Sequence, residues 1–189
     1  MPDTKSPKQT AQNRLPGDPD RAELIAQMVR VNQAGEYGAK RIYEGQLAIL
    51  EGTDAEPIVQ HMLDQELPHL ERFNKELTAR GIRPTALQPL WHFAGFALGA
   101  GTALLGREAA MACTVAVEEV IDEHYAEQAN ELGDDDADLR SVIEEFRADE
   151  QHHRDIGLAE GAEQAPAYLV LTEAVKAGSR FAIWLSKRL

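Results

Sequence analysis

Two copies of one spacing stand out in the chain. Glu36 is followed by Glu66-Leu67-Pro68-His69, and Glu118 by Glu150-Gln151-His152-His153. Each copy supplies a lone Glu and then a Glu and a His at i and i+3, which share one face of a helix. A Glu from each of two helices, with a Glu-x-x-His pair from each of two others, is a donor set that helical bundles use to hold two iron or manganese ions. Carboxylates are hard oxygen donors able to bridge two cations, and imidazole is a good ligand for iron. Four Glu and two neutral His carry a charge of −4, which two divalent ions balance, and six donors leave coordination positions open. The same donors do not separate iron from manganese; zinc sites more often use Cys and His.

Spacing alone is weak, because twenty Glu and six His in 189 residues give roughly 0.6 such pairs by chance. The faces are more telling. Glu66 shares its face with Val59, Met62, Leu63, Leu70 and Phe73, so a carboxylate and an imidazole interrupt an apolar stripe. A buried carboxylate must be protonated, paired or bound to a metal. On the fourth helix Glu118 lies with Met111, Thr114, Val115, Ile121 and Tyr125, whereas Glu119 lies with Asp122 and Glu123. The core face therefore selects Glu118. The face of Glu150 mixes Ile143 and Phe146 with Arg147 and Arg154, and that of Glu36 mixes Val29, Ala39 and Tyr43 with Asn32, Gln33 and Lys40. His152 follows Asp149 by three residues and competes with His153. His124 and Tyr125, six and seven residues after Glu118, are candidates for a supporting shell around the site. Pro68 falls inside the second helix, where it removes a hydrogen bond; a bend there keeps Glu66 and His69 on one face, and a helix end would not.

Six helices must position these groups. Asp18 or Asp20 caps a first helix to about Leu50, and Thr53 or Asp54 a second to about Arg80, with Gly81 closing it. From Pro84 to Gly106 no Asp, Glu, Lys or Arg occurs in twenty-three residues. Pro84 and Pro89 shorten that stretch to a helix of about seventeen residues, short of the ~20 needed to span a bilayer, and Gly95-x-x-x-Gly99 permits close helix packing. A fourth helix runs from near Arg107 to about Leu132, and a fifth, capped from Asp134-Asp135-Asp136, to about Glu160. A sixth opens at Ala165-Pro166 and is amphipathic and basic, with Lys176, Arg180, Lys187 and Arg188 against Glu173. Such a helix suits an anionic membrane surface or a partner groove. The lone Glu repeats at an offset of 82 and the pair at 84, which reads as a duplicated helical hairpin joined by the apolar crossover.

The bulk numbers agree with one all-α domain over 20–189, a four-helix bundle with an apolar crossover helix and a C-terminal amphipathic helix. Residues 1–19 read as a disordered polar tail with no secretory or transit signal. A net charge of −13 argues against a nucleic-acid partner, and one cysteine, Cys113, excludes an internal disulfide.

The chain resembles the demethoxyubiquinone hydroxylases of ubiquinone biosynthesis from about Asp20 to Leu189. The resemblance is carried by Arg30-Val31-Asn32-Gln33-Ala34-Gly35-Glu36, Val117-Glu118-Glu119, Glu150-Gln151-His152-His153-Arg154-Asp155-Ile156-Gly157 and Ala165-Pro166-Ala167-Tyr168. It implies a ferritin-like bundle holding two irons at Glu36, Glu66, His69, Glu118, Glu150 and His153. It implies hydroxylation of a demethoxyubiquinol ring by dioxygen, with electrons from the quinol or from NADH. A polyprenylated quinol implies peripheral contact with a membrane through residues 90–105 and the last helix, at the cytoplasmic face of a bacterial inner membrane, and partner proteins of ubiquinone biosynthesis. A ferritin- or rubrerythrin-like iron-handling or peroxidase protein is the alternative; it needs no apolar crossover, and a rubredoxin arm needs Cys pairs that the chain lacks.

Overall fold

The computed structural model describes residues 19–134 and 136–189; most of the predicted tail, and Asp18 as a candidate cap, lie outside them. Six α-helices and one 3-10 turn make up the described residues, with no strand. They are α1 (Arg21–Leu50), α2 (Glu56–Arg80), α3 (Gln88–Leu104), α4 (Arg107–Leu132), α5 (Ala137–Ala159) and α6 (Tyr168–Ser186). The fold is an all-α, ferritin-like bundle. The hairpins α1–α2 and α4–α5 form its four helices, α3 packs along α1, and α6 packs along α4.

Caps and breakers account for most boundaries. The Asp20 carboxylate accepts the Glu23 N–H at 2.8 Å, and the Asp136 carboxylate accepts that of Leu139 at 3.1 Å. Gly81 closes α2 in the left-handed region at φ 65°. Two boundaries differ from expectation. Neither Thr53 nor Asp54 caps α2: Thr53 Oγ1 donates to the Leu50 carbonyl and Asp54 pairs with Arg107. The helix starts after Ala55 instead, and the Glu56 side chain reaches back to the Gly52 N–H at 2.6 Å. The last helix starts at Tyr168 rather than at Ala165-Pro166. Proline pushes the residue before it out of the helical region, so Ala165 is extended at ψ 141°, and Ala167 then turns through φ 52°.

The helix α2 runs unbroken through Pro68, whose ring lies on the exposed side, so Glu66 and His69 share the inner face. The apolar crossover is the seventeen-residue α3, and among the described residues no helix is long and apolar enough to cross a membrane. It seats on α1 through glycines. A Cβ at Gly99 would fall on the Ile42 carbonyl, and one at Gly45 on the Phe96 carbonyl. The predicted Gly95-x-x-x-Gly99 surface is thus used within the chain.

Candidate metal centre

Four helices each contribute to one buried cluster. Glu36 comes from α1, Glu66 and His69 from α2, Glu118 from α4, and Glu150 and His153 from α5. All six are within 3% of full burial. Donor atoms of Glu36, Glu66, His69 and Glu150 lie within 4.8 Å of one another, as do those of Glu66, Glu118, Glu150 and His153. Glu66 and Glu150 belong to both groups. They occupy the shared middle, with Glu36 and His69 at one end and Glu118 and His153 at the other. The residues left open by sequence fall outside: Glu119 pairs with Lys176 at 2.5 Å, and His152 is exposed.

Both imidazoles turn the same way. His69 Nδ1 faces Glu150 at 3.4 Å and Glu36 and Glu66 at 3.8 Å, while its Nε2 meets Asp149 at 3.0 Å. His153 Nδ1 faces Glu66 at 3.1 Å and Glu150 at 3.3 Å, while its Nε2 meets Gln65 at 3.2 Å. Phe146 stacks on the His69 ring at 3.9 Å between centroids. Two tyrosines cross the bundle: Tyr43 Oη donates to Glu118 Oε1 at 2.8 Å, and Tyr125 Oη donates to Glu36 Oε1. Of the two candidate supporting residues, Tyr125 thus touches the cluster directly. His124 does not; it accepts from Gln128, which also exchanges two 2.7 Å hydrogen bonds with Asn32.

The electrostatics suit the binding of cations. Glu36 Oε2, both oxygens of Glu66, His69 Nδ1, Glu118 Oε2 and Glu150 Oε1 are buried without a hydrogen-bond partner. So many orphaned donor atoms on one spot are what a pair of hard cations would satisfy. Burial, with Glu150 and Glu66 next to them, pushes Glu36 and Glu118 well above the usual carboxylate range. Burial and Glu150 raise Glu66 to about 7. Burial also opposes ionisation of Glu150, yet the hydrogen bond from His153 and the close approach of the His69 ring hold it down to about 2. Burial likewise disfavours protonated His153, but Glu150 and Glu66 raise it to about 11. The donor types, their burial and their orphaned atoms fit a pair of divalent metal ions.

Tyr43 and Gln65 carry no ligand signal of their own, and Asp149 enters the sequence reading only as the partner of His152, whereas the structure sets it behind His69. The repeat contains them: Tyr43 and Tyr125 follow Glu36 and Glu118 by seven residues, and Gln65 and Asp149 immediately precede Glu66 and Glu150. Carrying the duplication past its acidic and histidine positions would have found all three.

A cavity of 260 Å³ adjoins the cluster. It lies among α1, α3, α4 and α6, and its lining includes Glu36, Tyr125 and His124. Small residues on three helices, among them Gly35, Gly38, Ala94 and Ala182, leave the space, and Val31, Ile42 and Leu98 line its apolar walls. At one end α3 and α6 are tied by Trp91 Nε1 donating to Ser186 Oγ at 3.0 Å and by the Ala86 N–H donating to the Leu189 carbonyl at 3.1 Å.

Fold and site together define a ferritin-like helical bundle with a paired carboxylate–histidine centre that could hold metal and is reached by an apolar cavity. The family model described as "Ubiquinone biosynthesis protein COQ7" matches residues 23–186, and the chain belongs to that family. It is 58% identical over 184 residues to a 3-demethoxyubiquinol 3-hydroxylase of Rhodospirillum rubrum, covering 97% of this chain and 87% of that protein. It is 53% identical to the human mitochondrial NADPH-dependent 3-demethoxyubiquinone 3-hydroxylase, covering 87% of this chain and 78% of that one. With the mitochondrial 5-demethoxyubiquinone hydroxylase of Saccharomyces cerevisiae the identity is 40%, covering 89% and 79%.

Proposed function

We infer that this protein is a hydroxylase of ubiquinone biosynthesis, a di-iron monooxygenase that adds a hydroxyl group to the demethoxyubiquinol ring using dioxygen. One observation carries the reading: the apolar cavity reaches the Glu/His cluster at Glu36. An iron-handling protein would instead lead ions to its centre along polar or acidic groups. An apolar path suits a prenylated ring.

Glu36, Glu66, His69, Glu118, Glu150 and His153 would hold the two irons, which supply reductive activation of dioxygen when bound. The protein's own groups then set the conditions. Glu36 and Tyr125 present the edge of the centre to the ring, and the cavity's apolar walls keep water from it. His124 lines the same cavity as a neutral imidazole, because burial and Lys187 lower it to about 4. Electrons come from the quinol itself or from a reduced nicotinamide; NADH follows from the family resemblance, and the human relative's name specifies NADPH.

The substrate's polyprenyl tail places the enzyme at the surface of a membrane, peripherally, on the cytoplasmic face of a bacterial inner membrane. Partners from the same biosynthesis would deliver the quinol. Supporting this, nine of the twelve exposed large apolar side chains among the described residues lie on α3, just beyond its end, or on or just beyond α6, the two outer walls of the cavity. The basic charge of α6 supports it less than the sequence suggested, because Lys176 and Arg180 pair with Glu119 and Glu123 of α4.

Two measurements test the reading. Purified protein should hold close to two irons per chain with optical and Mössbauer signatures of a coupled pair; less than about one metal per chain, unchanged by Glu66→Ala, would remove the di-iron centre. A strain carrying only Glu118→Ala should accumulate a demethoxy quinone, and normal ubiquinone there would remove the substrate assignment.

A further inference from the structure

The site reads as a duplication, and in each copy the tyrosine and the outward histidine nitrogen bond across the bundle to the other copy. Tyr125 of the second hairpin reaches Glu36 of the first, and Tyr43 of the first reaches Glu118 of the second. The histidines follow the same rule. The outward Nε2 of His69 meets the residue before Glu150, and the outward Nε2 of His153 meets the residue before Glu66. Ligand, tyrosine and histidine types are preserved in both copies. The residue behind the histidine is not: it is Asp149 in one case and Gln65 in the other.

That single difference falls where it bears on metal binding. An imidazole that donates its distal N–H to a carboxylate is a stronger base at the other nitrogen than one that donates to a neutral amide. It is also held more firmly, since a hydrogen bond to a charged acceptor is stronger. Asp149 bonds His69 at 3.0 Å and Gln65 bonds His153 at 3.2 Å. Both Nδ1 atoms face the carboxylates, so the difference is delivered to the donor nitrogen on each side.

We propose that the two metal positions are unequal: the one formed by Glu36, His69, Glu66 and Glu150 binds more tightly and fills first, and Asp149 is the positioning residue that makes it so. The inference rests on the two-metal reading of the cluster and adds an order to it. Gln65 leaves the position at Glu118 and His153 the weaker, a place where a metal could be lost or exchanged while its neighbour stays.

Titration of the metal-free full-length protein with Co²⁺, followed by visible absorption and by calorimetry, tests the order without any turnover. Wild type should take up two equivalents in separate steps, the first at least about tenfold tighter, within the 10–100-fold range that partners of ligating histidines command. Asp149→Asn should weaken the first step about tenfold or more and merge it with the second, while the exchange Gln65→Asp with Asp149→Gln should restore two steps. The Asp149 side chain is 46% exposed, so these changes do not threaten the core. Glu118→Ala should keep the tight step, and Glu36→Ala should lose it. Two equal steps in wild type, no response to Asp149→Asn, or a tight step that survives Glu36→Ala but not Glu118→Ala would overturn the assignment while leaving the metal site intact. Uptake of less than one Co²⁺ by wild type would instead defeat the two-metal reading itself.

Discussion

At the scale of single residues, Glu66 carries much of the electrostatic cost of the buried cluster. It has no exposure and both of its oxygens lack a hydrogen-bond partner. Burial and Glu150 raise it to about 7, so the folded metal-free protein keeps a proton that the unfolded chain releases near pH 4.5. A raised carboxylate contributes its stability at low pH and loses it as pH climbs through the folded value. The metal-free protein should therefore lose melting temperature between about pH 4.5 and pH 7. Glu66→Gln should flatten that loss and stabilise the metal-free form at pH 8 by roughly 1–3 kcal/mol, since a tenfold change in proton affinity is worth ~1.4 kcal/mol. With metal bound, the slope should reverse, because cations displace the protons and bind better as pH rises. Thermal melts of metal-free and loaded protein at pH 5.5 and pH 8 read both slopes. At this scale the sequence was informative where polarity clashed with its surroundings, as at Glu66 and Glu118. It was mute on Tyr43, an aromatic residue that looks like ordinary core until its hydroxyl is seen on Glu118.

Among the elements, the seating of α3 on α1 makes a sharp comparison between two nearby glycines. Gly99 sits against the α1 backbone, where a Cβ would strike the Ile42 carbonyl. A Cβ at Gly101 would meet no other part of the protein within 4 Å, and the residue is exposed. Backbone cannot move aside as a side chain can, so Gly99→Ala should force the helices apart and cost about 1–3 kcal/mol. Gly101→Ala only removes freedom from the unfolded chain and improves helix propensity, so it should stabilise by about 0.5–1 kcal/mol. Opposite signs in urea denaturation of the two variants would confirm that the crossover is clamped by glycine. The pairing surface was legible as Gly95-x-x-x-Gly99, and so were the hairpins, through Asp20, Gly81, Asp136 and the repeat, though not the start of α2, where neither Thr53 nor Asp54 is the cap. What that surface met was not legible: Gly45 on α1 carries no signal of its own and matters only because Phe96 lies across it. The start of α6 was misplaced for a local reason, the extended residue that Pro166 requires before it.

For the whole molecule, the proposed contact with a membrane has to overcome the protein's own charge. The net charge is −13, and an anionic membrane repels such a surface. The sequence pointed to the apolar residues 90–105 and to the basic charge of α6, and periodicity cannot show that α4 supplies counter-charges to the latter. Lys176 and Arg180 are already paired with Glu119 and Glu123. Large apolar side chains are exposed on the same two helices: Phe93 on α3 is 72% accessible and Trp184 on α6 is 49% accessible. Neither residue lines the cavity. Burying such side chains in a lipid interface is worth ~1.5–3 kcal/mol each, enough to outweigh the charge of the surface. The protein should therefore float with neutral phosphatidylcholine vesicles at least as well as with anionic ones, and about 0.5 M salt, which screens charges beyond a few ångströms, should not release it. Replacing Phe93 and Trp184 together by Ser should reduce the bound fraction about tenfold or more, while turnover of a short-chain, water-soluble quinol stays near wild type because the cavity is untouched. Binding confined to anionic vesicles and abolished by salt would return the role to Lys187 and Arg188, and undiminished binding of the double variant would move the contact off α3 and α6 altogether.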